Sequence, residues 1–310
     1  MLRKVGFSIK FKLLFVILAV LIFSITLYFL FAANLFKADK EAYIFEEGLN
    51  RGETLAKQTN RVLDFAYENA VFISALSRKG NQDNQLVQKI FASNKDLLEI
   101  KIINKSGVRY KKLKTNKLDD LGIGEEQYNL LSSQSKLNFN LIKNSNRVVE
   151  NTSKMGVDLA IISLGVYDKV NNEAVIIRLD FSNLIADFED KVYKNSLFND
   201  QGVLLIHPSK DIILARKSVL GSKFAQSLIG SKLVSGTKKV TKKDGSEYLT
   251  SFTSIQKYGL TVLSEIDSSQ AFKAINFLLT MSGFFALLLI SIGVIGAIFS
   301  ARHLTKPVGQ

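Results

Sequence analysis

Ala274 to Ala301 reads AINFLLTMSGFFALLLISIGVIGAIFSA, 28 residues without a charge. At about 1.5 Å per residue a helix of that length reaches roughly 42 Å, enough to cross the hydrocarbon core of a bilayer. Arg302, His303 and Lys306 follow at once, and the sequence stops at Gln310. The stretch is read either as a tail anchor or as the passage into a cytoplasmic part that is only beginning.

Outward from there, a second uncharged run lies near the other end: Leu13 to Ala33, LLFVILAVLIFSITLYFLFAA. It is longer than the apolar region of a cleavable signal peptide, and no small-x-small cleavage site closes it. It is therefore read as an uncleaved membrane helix. Arg3, Lys4, Lys10 and Lys12 precede it, and mixed charges follow. The positive-inside rule then places the N-terminus in the cytoplasm. Arg302 and Lys306 place the C-terminus there too, so residues 37–273 are expected outside the cytoplasmic membrane, tethered at both ends.

Composition limits what that outer part can be. The chain has no Cys and two His, His207 and His303. A disulfide framework and the usual Cys/His zinc sites are excluded, and stability outside the membrane must come from an apolar core. The net charge is +13. The two termini with their apolar runs hold +6 of it as a topology signal, which leaves +7 spread over the middle. The local run Lys238, Lys239, Lys242 and Lys243 reads as a solvated hairpin, and nucleic acid is not an expected partner.

Between the apolar runs the hydrophobic period changes. From Lys37 to about Leu76 apolar residues recur in helical steps (Leu55, Val62, Leu63, Ala66, Ala70, Ile73), which predicts an amphipathic stalk continuing from the first membrane helix and ended near Gly80. A short helix is expected at Asn84–Phe91. Leu97 to Ile103 then alternates like a strand, Asn104-Lys105-Ser106-Gly107 reads as a turn, and Val108–Leu113 returns. Strands are predicted at Leu137–Ile142, Leu159–Tyr167 and Glu173–Asp180, and a helix at Phe181–Val192. The order then repeats. Leu197–Ile206 forms a strand pair around Asp200-Gln201-Gly202, and His207-Pro208-Ser209 breaks it. A helix is expected within Lys217–Ile229, then strands at Lys232–Val240, Glu247–Thr253 and Gly259–Ile266.

Two membrane helices flanking two antiparallel-sheet modules after a long helix resemble the double Cache sensors of bacterial receptors. The stretch Leu197-Phe198-Asn199-Asp200-Gln201-Gly202-Val203-Leu204-Leu205-Ile206-His207-Pro208 is similar to the opening hairpin of the membrane-proximal module in that family. Asp244–Leu249 with Tyr258–Leu263 resembles its closing strands, and Asp158–Asp180 resembles the paired last strands of the distal module. The tail Arg302-His303-Leu304-Thr305-Lys306-Pro307-Val308 resembles the start of a HAMP linker.

The resemblance implies an α+β fold of two PAS-like (Cache) modules on a long N-terminal helix, plus two transmembrane helices. The expected divisions are a cytoplasmic N-terminus at 1–12, membrane helix at 13–36, stalk at 37–94, distal module at 95–193, proximal module at 194–267, exit and second membrane helix at 268–301, and linker at 302–310. It implies a receptor's sensing and membrane-spanning part in a bacterial inner membrane, with a small-molecule ligand in the distal module and no cofactor; the amphipathic stalk, one face of which needs a partner, suggests a homodimer. Arg302 and Pro307 would relay movement to an output domain. Polar residues placed for ligand contact are Arg109, Tyr110, Lys112, Arg147, Asp158 and Tyr167. An Arg clamps a carboxylate, and a Tyr adds an apolar wall with one hydroxyl. The Arg-x-Trp-Tyr pattern of amino-acid-binding members is absent, because the chain has no Trp.

Enzyme constellations are not found: there is no phosphate-binding loop of the G-x-x-x-x-G-K type, no H-E-x-x-H and no G-x-S-x-G. A Ser/His triad outside the membrane would need His207, which reads as a turn residue. Asp119-Asp120 and Glu125-Glu126 read as solvated carboxylates. No enzyme is expected within residues 1–310. The rival reading is a two-anchor periplasmic scaffold that binds a protein and signals nothing.

Overall fold

The computed structural model describes residues 9–78, 85–120, 122–133, 135–154, 159–219, 222–242 and 244–303. Two compact units result: one made of the two ends of the chain, up to Ile44 and from Ser268, and one spanning Phe45–Asp267. Helix α1 runs unbroken from Ile9 to Arg78 and α10 from Lys273 to His303. Both contain stretches long and apolar enough to cross a membrane. In the first unit their large side chains face outward, Phe31 at 68% and Phe285 at 67% exposure. That is costly in water and appropriate in lipid.

The outer unit holds two antiparallel sheets. In the first, β1 (Leu97–Asn104), β2 (Gly107–Leu113), β3 (Arg147–Asn151), β4 (Ile161–Asp168) and β5 (Glu173–Asp180) lie in the order β2-β1-β5-β4-β3. In the second, β6 (Lys194–Asn199), β7 (Leu204–Ile206), β8 (Ser235–Thr241), β9 (Glu247–Ile255) and β10 (Leu260–Asp267) lie in the order β7-β6-β10-β9-β8. The topology is the same in both. The repeated order of elements seen in the sequence is thus a repeated fold.

The outer half of α1 lies behind both sheets. Leu55, Leu63, Ala66, Ala70 and Ile73 join one buried cluster with Ile100, Ile102, Ile162, Leu164 and Ile177 of the first sheet and Leu197, Leu260 and Val262 of the second. Gly48 and Gly52, one helical turn apart, let the helix approach β9. A Cβ at Gly48 would lie 2.5 Å from the Ser251 hydroxyl, and one at Gly52 would lie 3.0 Å from that of Thr253. Glycine costs about 1 kcal/mol inside a helix; here close packing offsets it.

Several short elements depart from expectation. Leu137–Ile142 is not a strand. Its apolar–polar alternation suggests one, but the Asn138 side chain accepts the Leu141 N–H at 2.9 Å and starts helix α5 (Phe139–Ser145). Phe139 and Ile142, three apart, are the buried pair of that helix. The helix expected at Phe181–Val192 covers only Ser182–Phe188 (α6), because the Asp190 carboxylate takes the N–H groups of Val192 and Tyr193 and turns the chain. Within Lys217–Ile229 only Lys223–Leu228 (α8) is helical, since Lys217 and Ser218 lie along the β7 segment instead. Helices α2 (Gln85–Ser93), α3 (Thr115–Asp120), α4 (Glu125–Ser133), α7 (Lys210–Leu214) and α9 (Ser268–Ala271) complete the chain. The expected cap at Gly80 lies outside the described residues.

Candidate functional site

Side chains alternate along a strand. In the first sheet Ile100, Ile102, Ile162, Leu164, Val175 and Ile177 face the stalk. Their neighbours Glu99, Lys101, Ser163 and Arg178 therefore face the other way. The register sets these into two cross-strand rows. One is Leu113–Glu99–Arg178–Ser163–Glu150, and the next is Lys111–Lys101–Ile176–Gly165–Val148.

The segment from α4 to Leu137 covers the first row and is tied to it by polar contacts. Arg178 forms a buried ion pair with Glu99, with side chains 4% and 1% exposed. Tyr128 of α4 donates to the same Glu99 carboxylate at 3.0 Å, and Arg178 donates to the Ser132 carbonyl at 3.1 Å. Glu150 accepts from the Ser135 hydroxyl at 2.8 Å and from the Lys136 N–H, and Lys111 donates to Asn129 at 2.8 Å. Further along, α5 rests directly on the sheet. A Cβ at Gly165 would stand 2.8 Å from Ile142, so only Gly fits.

The polar half of this face holds unused hydrogen-bonding capacity. Oε1 of Glu99 and Nε of Arg178 are buried without a partner. Burial pushes the Tyr128 phenol far above its ordinary value, and the adjacent Glu99 adds to this. Burial also lowers the Lys101 ammonium; Glu99 opposes that, and Arg178 and Lys111 reinforce it. Lys101 and Arg178 thus share a covered face with Glu99, and Glu150 and the exposed Lys111 stand at its edges. The surplus is positive. The arrangement suits a small ligand that carries an anionic group and has a donor for Glu99.

The residues singled out in the sequence do not come together. Arg109 leaves the β2 ladder at an irregularity and pairs with Glu173, its Nε 2.5 Å from the carboxylate, while Nη1 donates to Ser77 of the stalk. Tyr110 is buried in the stalk-side core, and Lys112 shares its side of β2, opposite Ile100. Arg147 lies over the rings of Tyr67 and Tyr258 and donates to the Lys257 carbonyl at 3.4 Å. Tyr167 packs edge-on against Phe139 of α5, and its hydroxyl donates to Asn172 at 2.7 Å. Asp158 and Pro307 lie outside the described residues. Arg302 falls in the last turn of α10.

The pair that sequence reading missed had a signal. Glu99 and Arg178 are charges with an apolar residue on either side inside largely apolar strands, LLEIKII and AVIIRLD. A lone charge there needs a buried partner. His207 behaves as a turn residue: its Nδ1 accepts the Ser209 N–H at 2.9 Å. Among the described residues no group of His, Cys, Asp and Glu could hold a metal ion.

No family model matches the sequence, and no curated protein is similar to it. Solved structures are similar in fold. The extracellular domain of the candidate histidine kinase mmHK1S-Z3 superposes with a TM-score of 0.55 at 12% identity, over 77% of this chain and 98% of that one. That of soHK1S-Z6 gives 0.51 at 15% identity, over 76% and 98%. That of rpHK1S-Z16 gives 0.50 at 12% identity, over 74% and 96%. At such identities the likeness is one of fold. The two repeated five-stranded modules on one long helix are thus a fold shared with these extracellular domains, and this chain also has two helices long and apolar enough to cross a membrane.

Proposed function

We propose that this chain is the sensing and membrane-spanning part of a signalling receptor, and that its ligand is a small molecule with a carboxylate or similar anionic group bound under α4. The observation that carries this reading is the buried Glu99–Arg178 pair with Lys101 beside it, on a sheet face closed by a tethered segment. Arg178 has a geometric route to the membrane. It sits on β5, whose stalk-side residues Val175, Ile177 and Leu179 pack in the α1 cluster. The first residue of the same strand, Glu173, takes Arg78 of α1 at 3.0 Å. A ligand that reorganises the Glu99–Arg178 row moves a strand anchored to the stalk, and α1 continues unbroken into its apolar stretch. Such coupling operates only if the ligand prefers one of two helix arrangements.

In this reading both termini lie in the cytoplasm, and the helix end around Arg302 and Pro307 hands movement to an output domain. The chain acts as a homodimer. Phe65 and Phe72, seven residues apart and half-exposed on α1, give the stalk an apolar stripe for a second copy. Thermal unfolding of the full chain in nanodiscs, run against a panel of small carboxylates, tests the reading. One chemical class should raise the midpoint in a saturable way, and Lys101→Met should remove the effect. A flat response across the panel would favour a scaffold that binds no small molecule.

A further inference from the structure

The two modules share a topology, so their strands can be matched one to one: β6 to β1, β10 to β5, β9 to β4 and β8 to β3. The distal row Glu99–Arg178–Ser163–Glu150 then has a counterpart. In the proximal sheet the register aligns Lys194 with Glu265, Glu265 with Thr250, and Thr250 with Lys238. Both rows lie two residues before the strand end, Arg178 before Asp180 and Glu265 before Asp267. Both also face away from the stalk, since Ser251 and Thr253, next to Thr250 in β9, are the residues that meet α1. A hydroxyl occupies the same rung in each, Ser163 or Thr250. The charges are inverted, Glu–Arg–Ser–Glu against Lys–Glu–Thr–Lys.

Several features mark this second row as more than a solvated face. Thr250 is 0% exposed, and its hydroxyl has no hydrogen-bond partner. The distal hydroxyl, by contrast, is bonded to Thr152 at 2.9 Å. A buried, unpaired hydroxyl is a standing cost in the unliganded protein. Around it, cations outnumber carboxylates. Lys242 reaches Glu265 at 3.3 Å and lies 3.6 Å from the centre of the Tyr248 ring. Lys194 lies 5.6 Å from the same ring centre, and Lys238 lies over Phe224. Neither Lys194 nor Lys238 has a carboxylate partner among the described residues. Lys194 and Lys242 thus flank the Glu265 carboxylate, with Lys238 further along the row and Asp267 beside Tyr248 at its edge. Between Lys194 and Asp267 the chain holds eleven Lys and Arg against six Asp and Glu.

We propose that the membrane-proximal module carries a second binding site, built from Lys194, Lys238, Lys242 and the Thr250 hydroxyl, for a phosphate-class oxyanion. Lysines act as point charges without the planar fork of an arginine, which suits phosphate more than a clamped carboxylate. The flexible lysine chains swing to admit the anion, Thr250 gains an acceptor, and the repulsion among the ammonium groups is relieved. The anion has two sources with the same chemistry, a soluble phosphate or a lipid headgroup. Chain continuity makes the second a real alternative, because Asp267 pairs with Tyr248 and lies six residues before α10 begins.

The test uses the full chain in nanodiscs and follows thermal unfolding of the outer part. In phosphatidylcholine discs, inorganic phosphate should raise the midpoint in a saturable way. Thr250→Val should abolish that rise while leaving the unliganded protein as stable as before or more so, because an unpartnered hydroxyl is removed. Lys194→Met and Lys238→Met should each weaken apparent affinity by about tenfold. Lys101→Met, which removes the distal response, should leave the phosphate response intact, which separates this site from the distal ligand site. Discs with phosphatidylglycerol and no added phosphate identify the source. A raised midpoint that phosphate no longer increases assigns the site to headgroups, and a midpoint equal to that in phosphatidylcholine assigns it to soluble phosphate. No response to either anion, or a response that survives Thr250→Val and both lysine variants, overturns the proposal.

Discussion

Arg178 and Glu99 are the most consequential pair of side chains in the outer unit. Two charges taken out of water lose several kcal/mol of hydration each, and only close pairing and further hydrogen bonds return it. Here Tyr128 and the Ser132 carbonyl supply some of those bonds, while Oε1 and Nε remain unmatched. Arg178→Leu strands the Glu99 carboxylate in a dry site, and it should destabilise the outer part by about 3–5 kcal/mol. Replacing both residues with Leu should restore most of that loss. Denaturant unfolding of the two variants checks the pair, and a double variant as unstable as the single one would deny the buried-charge account. The sequence shows both charges at once but not their pairing. They are 79 residues apart, and antiparallel register alone brings them together. Arg109 is as prominent in the sequence, yet it ties β2 to Ser77 of the stalk and to Glu173 of β5.

At the scale of elements, α1 is held to the sheets at three heights. Arg51 pairs with Asp190 at 2.7 Å, and Arg78 with Asp168 and Glu173 at 3.0 Å. Between them Asp64 accepts from Lys257, from the Tyr258 hydroxyl at 2.6 Å and from Asn60 at 2.8 Å. Burial pushes the Asp64 carboxyl up, but those hydrogen bonds outweigh it and hold its pKa below the ordinary 3.8. A depressed carboxylate stabilises the fold at all pH values above its unfolded pKa, and the contribution is lost as pH falls through the folded value. Asp64→Asn should therefore cost about 1 kcal/mol at neutral pH and nothing in strong acid, below both pKa values. Unfolding midpoints of wild type and variant from pH 7 to pH 2 should converge at the acid end. A constant gap across the range would mean that the charge is not what matters.

Some elements were legible from period alone. The stalk repeats at helical spacing and β5 was bounded residue for residue, because long segments with one buried face leave little ambiguity. Short elements were not. Leu137-Asn138-Phe139-Asn140-Leu141-Ile142 alternates as a strand does, and only the Asn138 cap and the packing of Ile142 on Gly165 make it a helix. Arg147–Asn151 carries no strong strand signal and becomes β3 by pairing along β4.

Taken whole, the outer unit is two modules on one core. The buried cluster behind the sheets contains residues of both, and polar side chains cross the junction. Asn151 donates to the Leu204 and Ile213 carbonyls at 2.8 and 2.9 Å, Asn199 donates to the Val149 carbonyl at 2.9 Å, and Arg216 donates to the Ser153 carbonyl at 2.8 Å. A shared core and these bonds across the junction predict that both modules unfold in one calorimetric transition. Asn151→Ala leaves two carbonyls without their donor and should cost about 2–4 kcal/mol. It should also broaden or split the transition, with protection against hydrogen exchange lost first at the junction. Two separate transitions in the wild type would show that the modules are independent.

By itself the sequence determined the two apolar stretches long enough to cross a membrane, the absence of disulfides, the stalk and the duplicated order of strands. Those follow from local quantities: apolar length, charge and the period of the hydrophobic pattern. Only the tertiary structure decided which face of each sheet meets the stalk and which strands lie side by side. From that came the rows Glu99–Arg178–Ser163–Glu150 and Lys194–Glu265–Thr250–Lys238. Alternation says that neighbouring side chains point to opposite faces; it does not say which face is covered, and register between strands far apart in the chain is fixed by the packing of the whole.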